Sequence, residues 1–185
     1  MSSLLLVDAK VMLNITSDEF DTELQRKLDA IEFSLERVLG GPVVSRQFVE
    51  RVEATDCLTA LMLRKRPVVS VQSIVSVSSG AALGITDLDI DPNSNIVRRK
   101  LGLPFVIYGS PVVTVTYTAG LGATAPADVV EAAQSILKYL WYSRRGAPTG
   151  AGPSTEELVS IPGMAYAIPN RAAELLAQRT LEAYV

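Results

Sequence analysis

Between Pro111 and Arg145 the hydrophobic period of the chain changes in mid-course. PVVTVTYTAG alternates at every second position, and after the short Gly-bearing LGATA the segment PADVVEAAQSILKYLWYSRR repeats its apolar residues every three to four. A period of two belongs to a strand with one buried face, and a period near 3.6 to an amphipathic helix. A fold that holds both must bury a sheet face and a helix face, so the block predicts an α+β protein. Pro126 suits the first turn of the helix, where its missing N–H costs nothing, and Asp128 complements the helix dipole. Val129, Ala133, Ile136, Leu137 and Leu140 make one face, widened by Trp141. Glu131, Gln134, Lys138 and Arg145 lie opposite, and Gly146 and Pro148 stop the helix.

The N-terminal part has the helical period alone. Asp8 can cap a short helix over 9 to 14, and Thr16 to Asp18 can cap a longer one that reaches Leu39 and ends at Gly40, Gly41 and Pro42. In the longer helix Phe20, Leu24, Leu28, Ile31, Leu35 and Val38 fall within an arc of about 80° at about 100° per residue, a core-facing stripe. Phe33 falls outside it, among Arg26, Asp29, Glu36 and Arg37. It either fills a second contact within the chain or meets a neighbouring subunit.

From Val43 to Thr118 the pattern is extended. Val69, Val71, Val75 and Val77 share one parity and Ser70, Gln72, Ser76 and Ser78 the other, which predicts a strand buried on its valine side. Pro67 suits the start or edge of that strand. LTALML is short and apolar enough for a strand packed on both sides or for a buried helical turn. ITDLDID and IVRRK read as two short strands joined by the turn former PNSN. FVIY and VVTVTYT complete an antiparallel set. Beyond the central helix, residues 146 to 163 are rich in Gly and Pro, a loop that is mobile or orders against a partner. Asn170 caps a last helix to about Tyr184. The expected organisation is one domain: N-terminal helices over 1–42, an antiparallel β region over 43–120 that can form a subdomain, a central bundle helix over 121–147, and an extended loop with a C-terminal helix over 148–185. Because the main apolar stripes lie upstream, deleting 146–185 is expected to leave a folded domain that no longer joins its partners.

Composition narrows the chemistry. The 185 residues are 48% hydrophobic and 20% charged, enough for one sizeable core. No apolar run approaches the roughly 18 residues of a membrane span, and SSLLLV lacks the basic flank of a signal peptide. A formal net charge of -3 argues against a broad basic surface for nucleic acid. The chain has no histidine, the usual general base and commonest metal ligand, so hydrolase triads in their usual form are excluded. The single Cys57 excludes an intramolecular disulfide framework and reads as a small apolar residue.

The candidate chemical sites are sparse. Asp87, Asp89 and Asp91 alternate along DLDID, which directs three carboxylates to one side of a strand. A calcium ion wants such oxygens, but the segment lacks the glycine and distal glutamate of an EF-hand loop, and charges on a strand edge also discourage unwanted pairing. SSGAALG and AGLGA lack the spacing and lysine of a phosphate loop and read as turns. Arg64, Lys65 and Arg66, and Arg98, Arg99 and Lys100, are short basic runs that solubilise a loop edge or supply one or two contacts to phosphate or to a neighbour's acidic groups. Neither a metal nor a cofactor is expected.

Taken in order, LLLVDAKVMLNI, DEFDTELQRKLDAIEFSLERVLG, RKRPVVSVQSIVSV, the Pro111 to Arg145 block and IPNRAAELLAQRTLEAYV resemble the head-to-tail connector (adaptor) proteins of long-tailed bacteriophages. The likeness spans nearly the whole chain and rests on the order of the pieces. It implies a structural virion protein of the head-tail junction, assembled in the bacterial host cytoplasm, with no catalytic residues and no membrane partner. It further implies a ring of identical subunits, commonly twelve, between the portal protein and a tail, tail-completion or stopper protein, through which DNA passes without specific binding. Compact members of that family are mostly helical with a single hairpin, whereas this chain gives residues 43 to 120 to strands. Phe33, Arg37, Tyr139, Tyr142, Arg144, Arg145, Met164, Tyr166 and Tyr184 are the residues expected to meet neighbours. Two other readings stay open: a tail-completion or other structural subunit of such particles, and a small metal-binding, ligand-binding or enzymatic α+β domain using Asp87, Asp89 and Asp91.

Overall fold

Residues 5–53, 59–91, 95–102, 105, 112–145, 158–162 and 166–182 are described by a computed structural model of the chain. Two helices come first, α1 (Leu6–Leu13) and α2 (Asp21–Leu39). Seven strands follow: β1 (Arg46–Glu53), β2 (Ala60–Met62), β3 (Val68–Ser76), β4 (Ala82–Leu83), β5 (Leu88–Ile90), β6 (Ile96–Arg99) and β7 (Val112–Ala119). Helix α3 (Ala127–Arg145), the short strands β8 (Leu158–Val159) and β9 (Ile168–Pro169), and helix α4 (Asn170–Glu182) complete the chain. The fold is α+β with antiparallel sheets, and it divides into two units, Met1–Val44 with Thr124–Val185, and Ser45–Ala123.

In the Ser45–Ala123 unit the strands form two sheets, of order β1-β7-β3-β4 and β2-β6-β5. Both contribute to one core, with Val68, Ile74, Val113, Val115, Tyr117 and Ala119 from the first and Leu61 and Val97 from the second, joined by Leu63 and Phe105. The alternation of β7 is as the sequence predicts, since Val113, Val115, Tyr117 and Ala119 are buried and the threonines between them are half-buried. ITDLDID and IVRRK supply the antiparallel pair β5 and β6, with Asp89 opposite Arg98 and Ile90 opposite Val97. Of FVIY, Phe105 is buried and 106–108 lie outside the described residues.

Strand β3 does not bury the face its alternation predicts. Val69 is 56% and Val77 43% exposed, whereas Val68, Ile74 and Ser76 are buried. The cause is two irregularities in the ladder with β7, between Val68 and Ser70 and between Val71 and Ser73. Val68, Val71, Ile74 and Ser76 lie opposite Ala119, Tyr117, Val115 and Val113, the buried residues of β7. Each bulge inserts one residue and converts a step of two into a step of three, so the inward set crosses the parity of the sequence. β2 differs too: Leu61 is buried but Met62 is 67% exposed, so LTALML supplies a strand packed on one face.

In the other unit, α1, α2 and α4 all pack on α3. Leu24, Leu28, Ile31 and Leu35 of α2 are buried as their stripe predicts, with Leu39 in place of the half-buried Val38. Ser34 is also buried, its hydroxyl donating to the Ala30 carbonyl at 2.9 Å. Val129, Ala132, Ala133, Ile136, Leu137 and Trp141 form the buried face of α3, and Trp141 meets Phe20 edge to face at 5.7 Å between ring centroids.

The helix ends differ from the expected caps. α1 begins at Leu6, so Asp8 lies within its first turn and serves the dipole instead of capping. α2 begins after Phe20 with no side-chain cap, because Asp18 is engaged by Lys10, at 2.6 Å, which also reaches Asp21 at 2.8 Å. Asn170 is the first residue of α4, its amide donating to Glu174 at 3.3 Å. Gly40 ends α2 in the left-handed conformation, φ 73°, that glycine adopts without a Cβ penalty.

The segment after α3 also carries core. β8 and β9 pair antiparallel, a hairpin that the Gly and Pro content of 146–163 conceals. Ile168, Ala172 and Leu176 are fully buried, so the apolar stripes of this unit do not all lie upstream of residue 146.

Candidate assembly surface

The helices that carry the expected contact residues hold them in different environments. Phe33 is 70% exposed on α2, and Arg26 and Arg37 on the same side are exposed as well. Among the described residues no ring contact involves Phe33. Tyr139 and Tyr142 are half-buried on α3, flanking the buried Trp141. Tyr166 is half-buried just ahead of β9; burial pushes its hydroxyl above the usual tyrosine pKa, and the Ser34 hydroxyl draws it slightly back. Arg144 and Arg145 end α3, but their side chains lie outside the described residues, as do Met164, Tyr184 and Cys57. The nine expected contact residues are therefore not seen as one patch, and Phe33 with Arg37 is the described pair that faces solvent.

Helix α1 adds a surface that amphipathic reasoning passes over. Ala9 and Leu13 are buried, while Val7 and Val11 are 68% and 72% exposed one turn apart, so this short helix is apolar on both sides. Lys10 holds it to the start of α2, and the hydrogen bond to Asp18 raises the lysine pKa above its usual value. The signal for this surface was the run LLLV itself, too short to be read as a span.

On the β unit, Asp87, Asp89 and Asp91 are exposed, with Leu88 and Ile90 turned towards the core. Among the described residues no group of three or more His, Cys, Asp or Glu side chains is placed to hold a metal ion. Beside this carboxylate row, Met62 and the half-buried Ile96 lie opposite each other on the outer face of the β2-β6-β5 sheet. Among the described residues no helix is long and apolar enough to cross a membrane.

No family model and no curated protein matches the chain in sequence. Solved structures do match in fold. A chain from the neck of an empty GTA particle, computed with C6 symmetry, superposes with a TM-score of 0.66 at 17% identity, over 96% of this chain and 89% of that one. A chain from the virion of a native gene transfer agent (GTA) particle gives 0.63 at 19% identity, over 95% and 88%. A chain from the neck of a native GTA particle, computed with C12 symmetry, gives 0.57 at 15% identity, over 97% and 92%. This chain shares their fold over 95 to 97% of its length.

Proposed function

We propose that this chain is a head-to-tail connector subunit of a phage or phage-like particle. It forms an oligomeric ring below the portal and joins the DNA-filled head to the tail. The observation that carries this reading is the likeness to chains from GTA neck particles over 96% of its length. The order of sequence pieces, which resembles the connector family, points the same way independently of the coordinates. The neck particles in question were computed with C6 and C12 symmetry, which favours a cyclic arrangement of this subunit, with twelve copies as the expected number.

The physical properties suit such a role. A cyclic ring of identical chains needs two different surfaces that meet head to tail, and this chain offers exposed apolar residues on both of its units. A net charge of -3 disfavours adhesion to the phosphates of DNA passing through a ring. The role is structural and needs no cofactor or catalytic group. Its partners are other copies of itself, the portal, and a tail or stopper protein.

The test is to assemble particles lacking this chain and to image the purified chain with portal rings. Filled heads without tails, and a second ring seated on the portal, are expected. Normally tailed particles in its absence would overturn the reading.

A further inference from the structure

We propose that the Arg26, Phe33 and Arg37 stripe of α2 docks on the outer face of the β2-β6-β5 sheet of a second copy, the arginines meeting the Asp87, Asp89 and Asp91 row and Phe33 meeting Met62 and Ile96. This rests on the ring reading above and specifies which two surfaces close it.

The two patches are complementary in kind. At about 100° per residue Arg26, Ala30, Phe33 and Arg37 fall within about 60° of one another, so they form a single stripe. Ala30 leaves the 70% exposed Phe33 ring standing clear of its neighbours. Asp29 at the border of the stripe accepts a hydrogen bond from Gln25 at 2.8 Å, and neither Arg26 nor Arg37 is in an ion pair among the described residues. Aromatic and arginine side chains together are the residue types that dominate the energetics of protein interfaces.

The sheet face presents the opposite charge around an apolar centre. The ladder places Met62 opposite Ile96 and Arg98 opposite both Ala60 and Asp89, all on the outer side, while Leu61, Val97 and Ile90 point inward. Three carboxylates against Arg98 and Lys100, which lie opposite Asp89 and Asp87, leave this face net negative by one charge, and Met62 is a large apolar side chain it exposes, at 67%. The spans agree as well. Arg26 and Arg37 stand about 16 Å apart at about 1.5 Å per helical residue. Asp87 and Asp91 stand about 13 Å apart at about 3.3 Å per extended residue, a difference that two long arginine side chains absorb. Because the patches are different surfaces, the contact is head to tail and leaves one copy with a free sheet face and the other with a free stripe, which a closed ring consumes.

Charge reversal tests the pairing directly. One variant carries Arg26→Glu with Arg37→Glu, the other Asp87→Lys with Asp91→Lys, and each is checked by circular dichroism and thermal melting for an unchanged fold. Mass photometry and electron microscopy, with and without portal rings, then read assembly. Each variant alone is expected to lose assembly by about tenfold or more in concentration, and Phe33→Ser to do the same. An equal mixture of the two reversed chains should regain it, because each stripe then meets a compatible sheet. Reversed chains that assemble like the unaltered one, or a mixture that fails to recover, would overturn the pairing. So would intact rings that lose only portal binding, since the stripe would then serve the portal. If the unaltered chain forms no ring either alone or on portals, it is the connector reading that fails.

Discussion

The Arg179 guanidinium holds both carboxylate oxygens of Asp128, with its Nη2 donating to Oδ1 at 2.9 Å and its Nε to Oδ2. Asp128 stands in the first turn of α3 and Arg179 in the last turn of α4, so each charge also complements the dipole of its own helix. A second pair, Arg171 with Glu131, lies along the same seam.

The Asp128 carboxyl is held below the usual carboxylate range, chiefly by its hydrogen bonds from Arg179 and against the effect of burial. A carboxyl depressed in the folded state stabilises above its unfolded pKa and loses that contribution as pH falls through the folded value. Asp128→Asn is therefore expected to lower stability by about 1 kcal/mol at neutral pH, the upper end for a partly exposed pair with bidentate geometry. The difference from the unaltered chain should shrink below about pH 4. Urea unfolding at a series of pH values measures it, and a constant difference down to the acid limit would contradict the assignment.

Tyr117 gives the opposite sign at the alkaline end. Its ring is fully buried, its hydroxyl oxygen accepts the Lys65 backbone N–H at 3.2 Å, and burial pushes its pKa up to about 12. A neutral group whose ionisation is resisted in the fold stabilises fully below the unfolded value, and the contribution is lost as pH rises through the folded one. Stability should therefore fall between about pH 10 and the folded value, and Tyr117→Phe should remove that part of the fall. At neutral pH the same variant leaves the Lys65 N–H without this acceptor, at a cost of about 1 to 3 kcal/mol. Ultraviolet titration of the phenols, variant against unaltered chain, identifies the late-ionising group.

Gly120 joins β7 to the loop that follows, with φ at 145°. A Cβ there would meet the Ser45 Cα at 2.5 Å and its backbone N at 2.7 Å, so there is neither the conformation nor the room for a side chain. Gly120→Ala is expected to destabilise the β unit by at least about 1 to 3 kcal/mol from backbone strain, with the clash adding to it. Gly80→Ala makes a useful contrast: its φ of 67° is also strained, but nothing lies within 4 Å of the added atom. Gly120→Ala should therefore lower the melting temperature more, and equal losses would refute the steric part.

Deletion of 146–185 tests the tail. Because Ile168, Ala172 and Leu176 are fully buried, the truncated chain should expose apolar surface and unfold more readily, contrary to what the placement of the upstream stripes suggests. Leu176→Ala should cost about 2 to 5 kcal/mol, as buried leucines do. A truncated chain with unchanged denaturant midpoint would show that α4 is dispensable for the fold.

Much of the helical architecture was legible because α2 and α3, 19 residues each, carry an unbroken apolar stripe. Leu24 to Leu35 and Val129 to Leu137 could not be buried in any other secondary structure without exposing part of the stripe. The caps were less legible. Asp8 and Asp18 are good capping residues by type, but Lys10 recruits Asp18, and α1 starts before Asp8. Of the expected contact residues, Phe33 stood out in the sequence as the aromatic off the stripe, and its exposure follows from that position. The Met62 and Ile96 pair did not stand out, because adjacency across a ladder is a relation between strands that neither strand states alone.

The periodicities of this chain, local consequences of side-chain chemistry, determined that it is α+β, where α2, β7 and α3 run, and which side of each is apolar. Tertiary structure decided which side of β3 is buried. The valine alternation at 69, 71, 75 and 77 favours one face, but pairing with β7 inserts two bulges and turns Val68, Val71, Ile74 and Ser76 inward. It also decided that two sheets share one core and that α4 completes the helical unit. These outcomes depend on partners distant in sequence, and a residue's burial is settled by the surface that reaches it as much as by its own hydrophobicity.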